Sequence, residues 1–307
     1  MIVYSSRYHI DIGPHVFPTE KYVLVQAGLV ETGIAGPASF VEPRPAEWDE
    51  LALVHTSGYL SRMRDGALTA DELAQLELPW SAGMVDGFRL MVGGTIHAAR
   101  LAVATHAIVP HIGGGLHHAF PNHGEGFCPF NDVAVAIRVL QAQGTQRVAV
   151  IDLDVHHGNG TAFIFGSDPR VFTFSMHQEH NYPMWKPRGS LDIGLADGTG
   201  DDRFLGELAR ALPVVMASKP ECVFYLAGAD PFQDDQLGGL RLTLEGLRQR
   251  DVMVISAVRS ADVPLVITLA GGYAIRVEDT VAIHTATIAE AVRALTAAAD
   301  VAEAGRT

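Results

Sequence analysis

The chain is poor in cysteine, in positive charge and in long apolar runs. Only two of its 307 residues are cysteines, Cys128 and Cys222. They cannot supply a disulfide framework, and their scarcity fits a reducing compartment. Lys and Arg number 22 against 35 Asp and Glu, a net charge of −13. That balance repels phosphate backbones and argues against direct nucleic-acid binding; Arg62 and Arg64 are about as dense as the basic residues become. No apolar run reaches the roughly 18 residues a membrane span needs. The opening Met1-Ile2-Val3-Tyr4-Ser5-Ser6-Arg7 has neither the basic leader nor the apolar stretch of a signal peptide. The expectation is a cytoplasmic protein with no membrane partner. Also missing are a G-x-S-x-G nucleophile elbow and, after Gly113-Gly114-Gly115, the Gly-Lys-Ser/Thr of a phosphate loop.

What is abundant is apolar residues, glycine and histidine. Hydrophobic residues make up 48% of the chain, and a chain of this length buries about 75% of its extended surface, so a large core needs no staples. Short β-branched runs, apolar on both faces, read as buried parallel strands: Val148–Ile151, Val171–Phe174, Cys222–Leu226 and Pro264–Leu269. Helical patterns fall between and after them, at Asp132–Gln143, Asp201–Ala217, Thr243–Val258 and the Ala-rich tail from Val281 to about Ala304. This alternation predicts an α/β fold, three layers deep, around a mainly parallel sheet. Pro/Gly-rich stretches near 33–45 and 183–200 are too short to separate two cores and read as surface loops, so residues 1–307 are expected to form one domain.

Polar residues follow each strand, at the edge where open α/β sheets bind ligands. In Asp152-Leu153-Asp154-Val155-His156 the period of two sends three ionisable side chains the same way. Such a convergence in a low-dielectric crevice repels itself unless a cation sits within it. A divalent metal held by Asp154, His156 and a distant carboxylate such as Asp230 is the economical answer, with a position left open for water. Taken alone, a D-x-D or D-x-H more often caps a helix. Four further features on the same edge weigh against that: the tandem His117-His118 after a glycine run, Asp152 placed to orient a histidine ring, Tyr273 after Gly271-Gly272, and the acidic run from Asp230 to Gly239. Of 14 histidines, five (His106, His111, His117, His118 and His123) lie within 106–123, and an imidazole is the natural base near neutral pH.

With these residues assembled, the sequence resembles the histone deacetylase superfamily on the arginase–deacetylase fold. The likeness spans nearly the whole chain through G-x-H-H-A at 115–119, G-F-C-x-x-N-D at 126–132, D-x-D-x-H-H-G-N-G at 152–160, G-x-D-x-x-x-x-D-x-L-G at 228–238 and G-G-Y at 271–273. His15-Val16-Phe17-Pro18 and Asp235–Leu240 look most like the class IV branch and its bacterial relatives. The resemblance implies hydrolysis of an N-acyl-lysine amide by a metal-bound water, with one Zn²⁺ per chain (or Fe²⁺ or Co²⁺) on Asp154, His156 and Asp230. His118 would be the general base, His117 its partner held by Asp152, and Tyr273 the donor to the carbonyl. Asn159 and Asp235 would support these groups from behind, while Gly115, Phe127 and Tyr182 would line the acyl-lysine channel. Asp152 and Ser175 would contribute to a monovalent-cation (K⁺) site, and Cys128 would sit near the pocket. Asn159 stands where some members carry Asp, so His118 is expected to be neutral in the free enzyme. The implied partner is an acylated lysine protein or another acylated amine. Acetylpolyamine deacetylation, a two-metal ureohydrolase and a non-catalytic acyl-lysine-binding module are the competing expectations.

Overall fold

The computed structural model describes residues 1–304, with side-chain surroundings as far as Leu295. The chain opens with β1 (Ile2–Val3), α1 (Lys21–Glu31) and β2 (Phe40–Val41), then α2 (Trp48–Leu51), α3 (Ser57–Asp65), α4 (Ala70–Leu76) and the long α5 (Ala82–Thr105). Strands and helices then alternate: β3 (Ile108–Pro110), α6 (Asp132–Ala142), β4 (Val148–Asp152), α7 (Asn159–Phe165), β5 (Val171–Gln178) and β6 (Leu191–Leu195). The last elements are α8 (Asp201–Ala217), β7 (Cys222–Leu226), α9 (Leu244–Ser260), β8 (Leu265–Thr268) and α10 (Val277–Ala304).

Six strands form one sheet in the order β3-β8-β7-β4-β5-β6, every neighbouring pair parallel. The two-residue period splits each central strand between two cores. Val148 and Val150 of β4, with Phe224 of β7, pack with residues of α5 and α6, while Ala149, Ile151 and Tyr225 pack with α8 and α9. This is the three-layer α/β/α arrangement, and it explains why the strands read as unbroken apolar runs. β1 and β2 form a separate parallel pair, joined to the main sheet through a bridge between Val3 and His111.

Two stretches differ from expectation. The 183–200 segment, read as a loop, contains the edge strand β6. Its Leu191-Asp192-Ile193-Gly194 alternates half-buried and exposed residues, so it lacks the continuous apolar character of a central strand. The 33–45 segment likewise holds β2. β5 also runs on past Phe174 to Gln178, carrying Ser175 and His177 into the sheet. Side chains of the Ala-rich tail beyond Leu295 lie outside the described residues.

A fully buried arginine ties these layers to the loop that follows β7. Arg250 of α9 donates to the Gly228 carbonyl at 2.5 Å and to Asp251 Oδ1 at 3.0 Å. Asp251 in turn accepts from the Tyr225 hydroxyl at 2.5 Å and from Thr287 Oγ1 of α10 at 2.6 Å. A buried charge is tolerable only when paired and hydrogen-bonded in this way. The arrangement fixes the backbone two residues before Asp230.

Candidate active site

Loops leaving β3, β4, β7 and β8 converge at the carboxyl edge of the sheet. Backbone amides orient the two outer carboxylates: Asp154 accepts from the N–H of His156 at 2.9 Å and of Gly271 at 2.8 Å, and Asp230 Oδ1 accepts from Val155 N–H at 2.9 Å. His156 Nδ1 lies 3.0 Å from Asp154 Oδ1 and 3.4 Å from Asp230 Oδ2. One ligand-type atom from each of the three residues falls within 4.8 Å of the others, and all three side chains are buried. Two glycines make the room. A Cβ on Gly228 would stand 2.7 Å from Asp154 Oδ2, and one on Gly271 would overlap Asp230 Oδ2.

This group fits a divalent cation. Asp230 Oδ2 is buried with no hydrogen-bond partner, which is costly unless something else satisfies it. Burial and the neighbouring Asp154 push the Asp230 carboxyl up to about 7. Burial pulls His156 down, but the two aspartates outweigh it and raise the ring to about 10. Two carboxylates and one imidazole suit Zn²⁺, Fe²⁺ or Co²⁺.

Beside this group stand His117 and His118, 3.0 Å apart between their Nε2 atoms. His117 Nδ1 lies 2.7 Å from Asp152 Oδ2, and since a carboxylate only accepts, this nitrogen donates. His118 Nδ1 lies 2.7 Å from the amide oxygen of Asn159. Burial lowers His117, but Asp152 and Asp154 override it and raise the ring to about 9. Burial, followed by repulsion from His117 and His156, holds His118 well below its ordinary value. Adjacent rings are thus split into one charged and one neutral, the pattern that separates electrostatic from base roles.

A pocket of about 190 Å³ opens onto these rings, lined by Glu77, His118, Phe127, His156, Tyr182 and Tyr273 among others. Beneath it a narrow recess is lined by Gly115, Leu116 and Cys128; Cys128 is a free, buried thiol, as Cys222 is. Gly115 is needed at its wall, because its φ is +84° and a Cβ there would meet Ala270 Cβ at 2.6 Å. Phe127 holds a φ of +64°, the kind of strain that collects at functional sites. Asp235 pins the opposite wall by accepting from Tyr273 N–H at 2.7 Å, Leu237 N–H at 2.8 Å and Gly238 N–H at 2.9 Å. Larger depressions, of about 360 and 520 Å³, open near Arg147 at the amino-terminal edge of the sheet, away from these loops.

The structure therefore gathers all the residues expected around the metal, the histidine pair and the channel. Ser175 pairs with Asp152 across the sheet, and its hydroxyl lies 3.0 Å from His177 Nδ1. Three further residues were not singled out in the sequence. Asp132 accepts from the N–H of Gly115 at 3.0 Å and Leu116 at 2.7 Å, fixing the loop that carries the histidine pair; its place in G-F-C-x-x-N-D was the available signal. Lys21 of α1 is fully buried, donates to the Ala270 carbonyl at 2.9 Å, and is lowered to about 8 by burial. Glu125 accepts from the Asn159 side-chain amide at 2.6 Å. Among the remaining histidines of the cluster, His111 is buried between Tyr8 and Thr95, and His106 is exposed at the end of α5. His123 stacks on Phe120 and reaches Glu125.

A parallel α/β sheet with an Asp-His-Asp group and a split histidine pair at its carboxyl edge defines a hydrolase site with a place for one metal ion. The histone deacetylase domain model matches residues 15–288, and the chain belongs to that family. An uncharacterised protein of Picosynechococcus is 42% identical over 287 residues, covering 92% of this chain and 95% of the relative. Histone deacetylase 2 of Arabidopsis thaliana is 34% identical over 89% of this chain and 74% of its own length. Acetoin utilization protein AcuC of Bacillus subtilis is 33% identical over 80% and 69% respectively. Among solved structures, a histone deacetylase homologue complexed with SAHA superposes with a TM-score of 0.83 at 25% identity, covering 95% of this chain and 83% of that one. The fold is thus of the arginase–deacetylase type. No described helix is long and apolar enough to cross a membrane.

Proposed function

We propose that this protein is a zinc-dependent deacylase that hydrolyses the amide of an acylated lysine side chain. One observation carries the reading: His156 of the Asp154–His156–Asp230 group, the neutral His118 and the Tyr273 ring line one pocket whose walls include Phe127 and Tyr182. A zinc ion held by those three ligands would polarise the amide carbonyl and acidify water; Fe²⁺ or Co²⁺ would serve the same donor set. His118, with Nδ1–H donated to Asn159, uses Nε2 to take the proton of the attacking water and returns it to the departing amine. His117 stays protonated against Asp152 and supplies fixed positive charge beside the developing oxyanion. The Tyr273 hydroxyl donates to the same oxygen as its charge grows. Products are the free amine and the carboxylate.

Rings at Phe127 and Tyr182 favour a narrow, unbranched amine stem, and Glu77 beside the pocket, with the net charge of −13, favours cationic substrates. Acetylated polyamines share those features and form the second substrate class. Among the described residues one metal-type group assembles, which supports a single-metal amidase over a two-metal ureohydrolase. The test is a turnover panel of lysine peptides and polyamines carrying acetyl to long acyl groups, with and without chelator. Chelator-sensitive release of free amine from lysine peptides is expected, and no hydrolysis of any amide by the metal-loaded protein would overturn the proposal.

A further inference from the structure

An amide beside a histidine has a right end and a wrong end. Asn159 presents its oxygen to His118 Nδ1 at 2.7 Å, which requires Nδ1 to carry the hydrogen and leaves Nε2 as the acceptor. Rotated by half a turn, the same side chain would present its NH₂ to Nδ1 and select the opposite tautomer, with no lone pair on Nε2. Two neighbours oppose this: the protonated His117, whose Nε2 stands 3.0 Å from His118 Nε2 and can only donate to it, and a carboxylate on the far side of the amide. Asn159 Nδ2 donates to Glu125 Oε1 at 2.6 Å, and a carboxylate has no hydrogen to give back. Glu125 is itself held from several directions. Gln75 Nε2 donates to Oε2 at 3.0 Å, and His123 Nε2 lies 3.3 Å from the same oxygen. Its backbone is pinned by reciprocal bonds with Cys128, Glu125 N–H to Cys128 O at 3.2 Å and Cys128 N–H to Glu125 O at 2.9 Å.

We propose that Glu125 is a positioning residue: it locks the Asn159 amide so that His118 is kept in its Nδ1–H tautomer with Nε2 ready to accept a proton. An aspartate at position 159 would need no such lock, because both of its oxygens accept. The Asn159–Glu125 pair reproduces that one-way polarity with the negative charge moved one residue outward. The kinetic consequence rests on the deacylase reading, whereas the tautomer consequence does not.

The test uses the full chain loaded with Zn²⁺, in the variants E125A, E125Q, N159D and E125A/N159D. Histidine ¹⁵N NMR reads the tautomer of His118, and kcat and KM are measured on an acyl-lysine peptide that the wild type cleaves. E125A is expected to lose about 10- to 100-fold in kcat, the range typical of losing an outer partner at a metal site, and to show a new Nε2–H population. N159D is expected to restore turnover in the E125A background, since a carboxylate has no wrong end, yet to impair the wild-type background, where it faces Glu125 as a like charge. A role in folding alone would not give that reversal. Wild-type kcat in E125A, failure of E125A/N159D to exceed E125A, or an unmixed Nδ1–H tautomer in E125A would each overturn the proposal. If E125A does not fold, E125Q decides it: glutamine can offer a donor to Asn159, so an unmixed tautomer there also overturns it. A wild type inactive on every amide would sink the deacylase reading, and the NMR result would still decide this one.

Discussion

Replacing Tyr273 with Phe removes one oxygen and leaves intact what places the ring. Its centroid stands 5.9 Å from that of Phe127, 6.3 Å from Phe17 and 6.5 Å from His156. Its N–H is held by Asp235 at 2.7 Å, and its carbonyl accepts from Gln236 N–H at 3.1 Å. Among the described residues no hydrogen bond of the hydroxyl itself contributes to these restraints. Stability should therefore change by no more than about 1 kcal/mol, as for substitutions that create neither a cavity nor a buried orphan. Catalysis is another matter. Losing one preorganised donor to a developing oxyanion costs about 2.7–4 kcal/mol, which at roughly 1.36 kcal/mol per decade is two to three orders of magnitude in kcat. The donor works chiefly in the transition state, so KM should hardly move. The assay is steady-state deacylation of an acyl-lysine peptide, read as its newly freed ε-amine, with zinc content and thermal melting measured on the same preparation. Near-normal kcat with metal retained would refute the oxyanion role. A large drop in melting temperature would instead show that the hydroxyl is structural.

Three further outcomes follow from the structure. His55 is buried, bonded to the Phe120 carbonyl at 3.0 Å and to Asn131 N–H at 3.1 Å, and lowered to about 4 by burial. Between pH 6.5 and 4 the unfolded chain takes up this proton and the folded chain does not, so stability falls as pH falls, by up to about 3 kcal/mol from His55 alone; buried His111, at about 3, adds to the same slope. Asp230, raised to about 7, takes up its proton in the folded chain over the same range and offsets this, so the test is urea unfolding of wild type against His55→Gln; the same pH dependence in both would contradict the His55 contribution. Stoichiometric zinc should raise the melting temperature with one ion bound per chain, worth about 4 kcal/mol at a thousandfold excess over Kd; calorimetry on D230N should show that gain lost. Gly115→Ala should cost at least about 1–3 kcal/mol, since φ is +84° and the new methyl meets Ala270, and an unchanged melting temperature would refute the close approach.

Fold class was legible because the central strands are buried on both faces, and a run such as Val148–Ile151 has no other reading once helices flank it. The edge strand β6 was not legible, because polar Asp192 and Gly194 break the apolar run. The long α5 was not singled out either. Its Gly87, Gly93 and Gly94 depress helix propensity, yet each is required by close packing: a Cβ at Gly87 would stand 2.6 Å from Ile10, and one at Gly93 would strike the Arg44 carbonyl. Tertiary contact overrides propensity there, and a contact with a segment far back in the chain leaves no local trace.

The site divides in the same way. Asp152, Asp154 and His156 were visible because a strand end imposes its own geometry on neighbours in sequence. Glu125 was not, since its partner Asn159 lies 34 residues away on α7 and nothing in Gly124-Glu125-Gly126 announces a contact. The protonation of the histidine pair follows the partner and charges beside each ring. His117 has a carboxylate directly on Nδ1 and is raised to about 9, whereas His118 has an amide there and is held low. The two rings are adjacent and equally buried, so burial cannot separate them. The partner on Nδ1 and the sign of the nearest charge do. On the proposed reading, a carboxylate displaced outward to Glu125 would fix the orientation of the amide without placing full charge on His118, and so leave Nε2 of that ring free to act as the base.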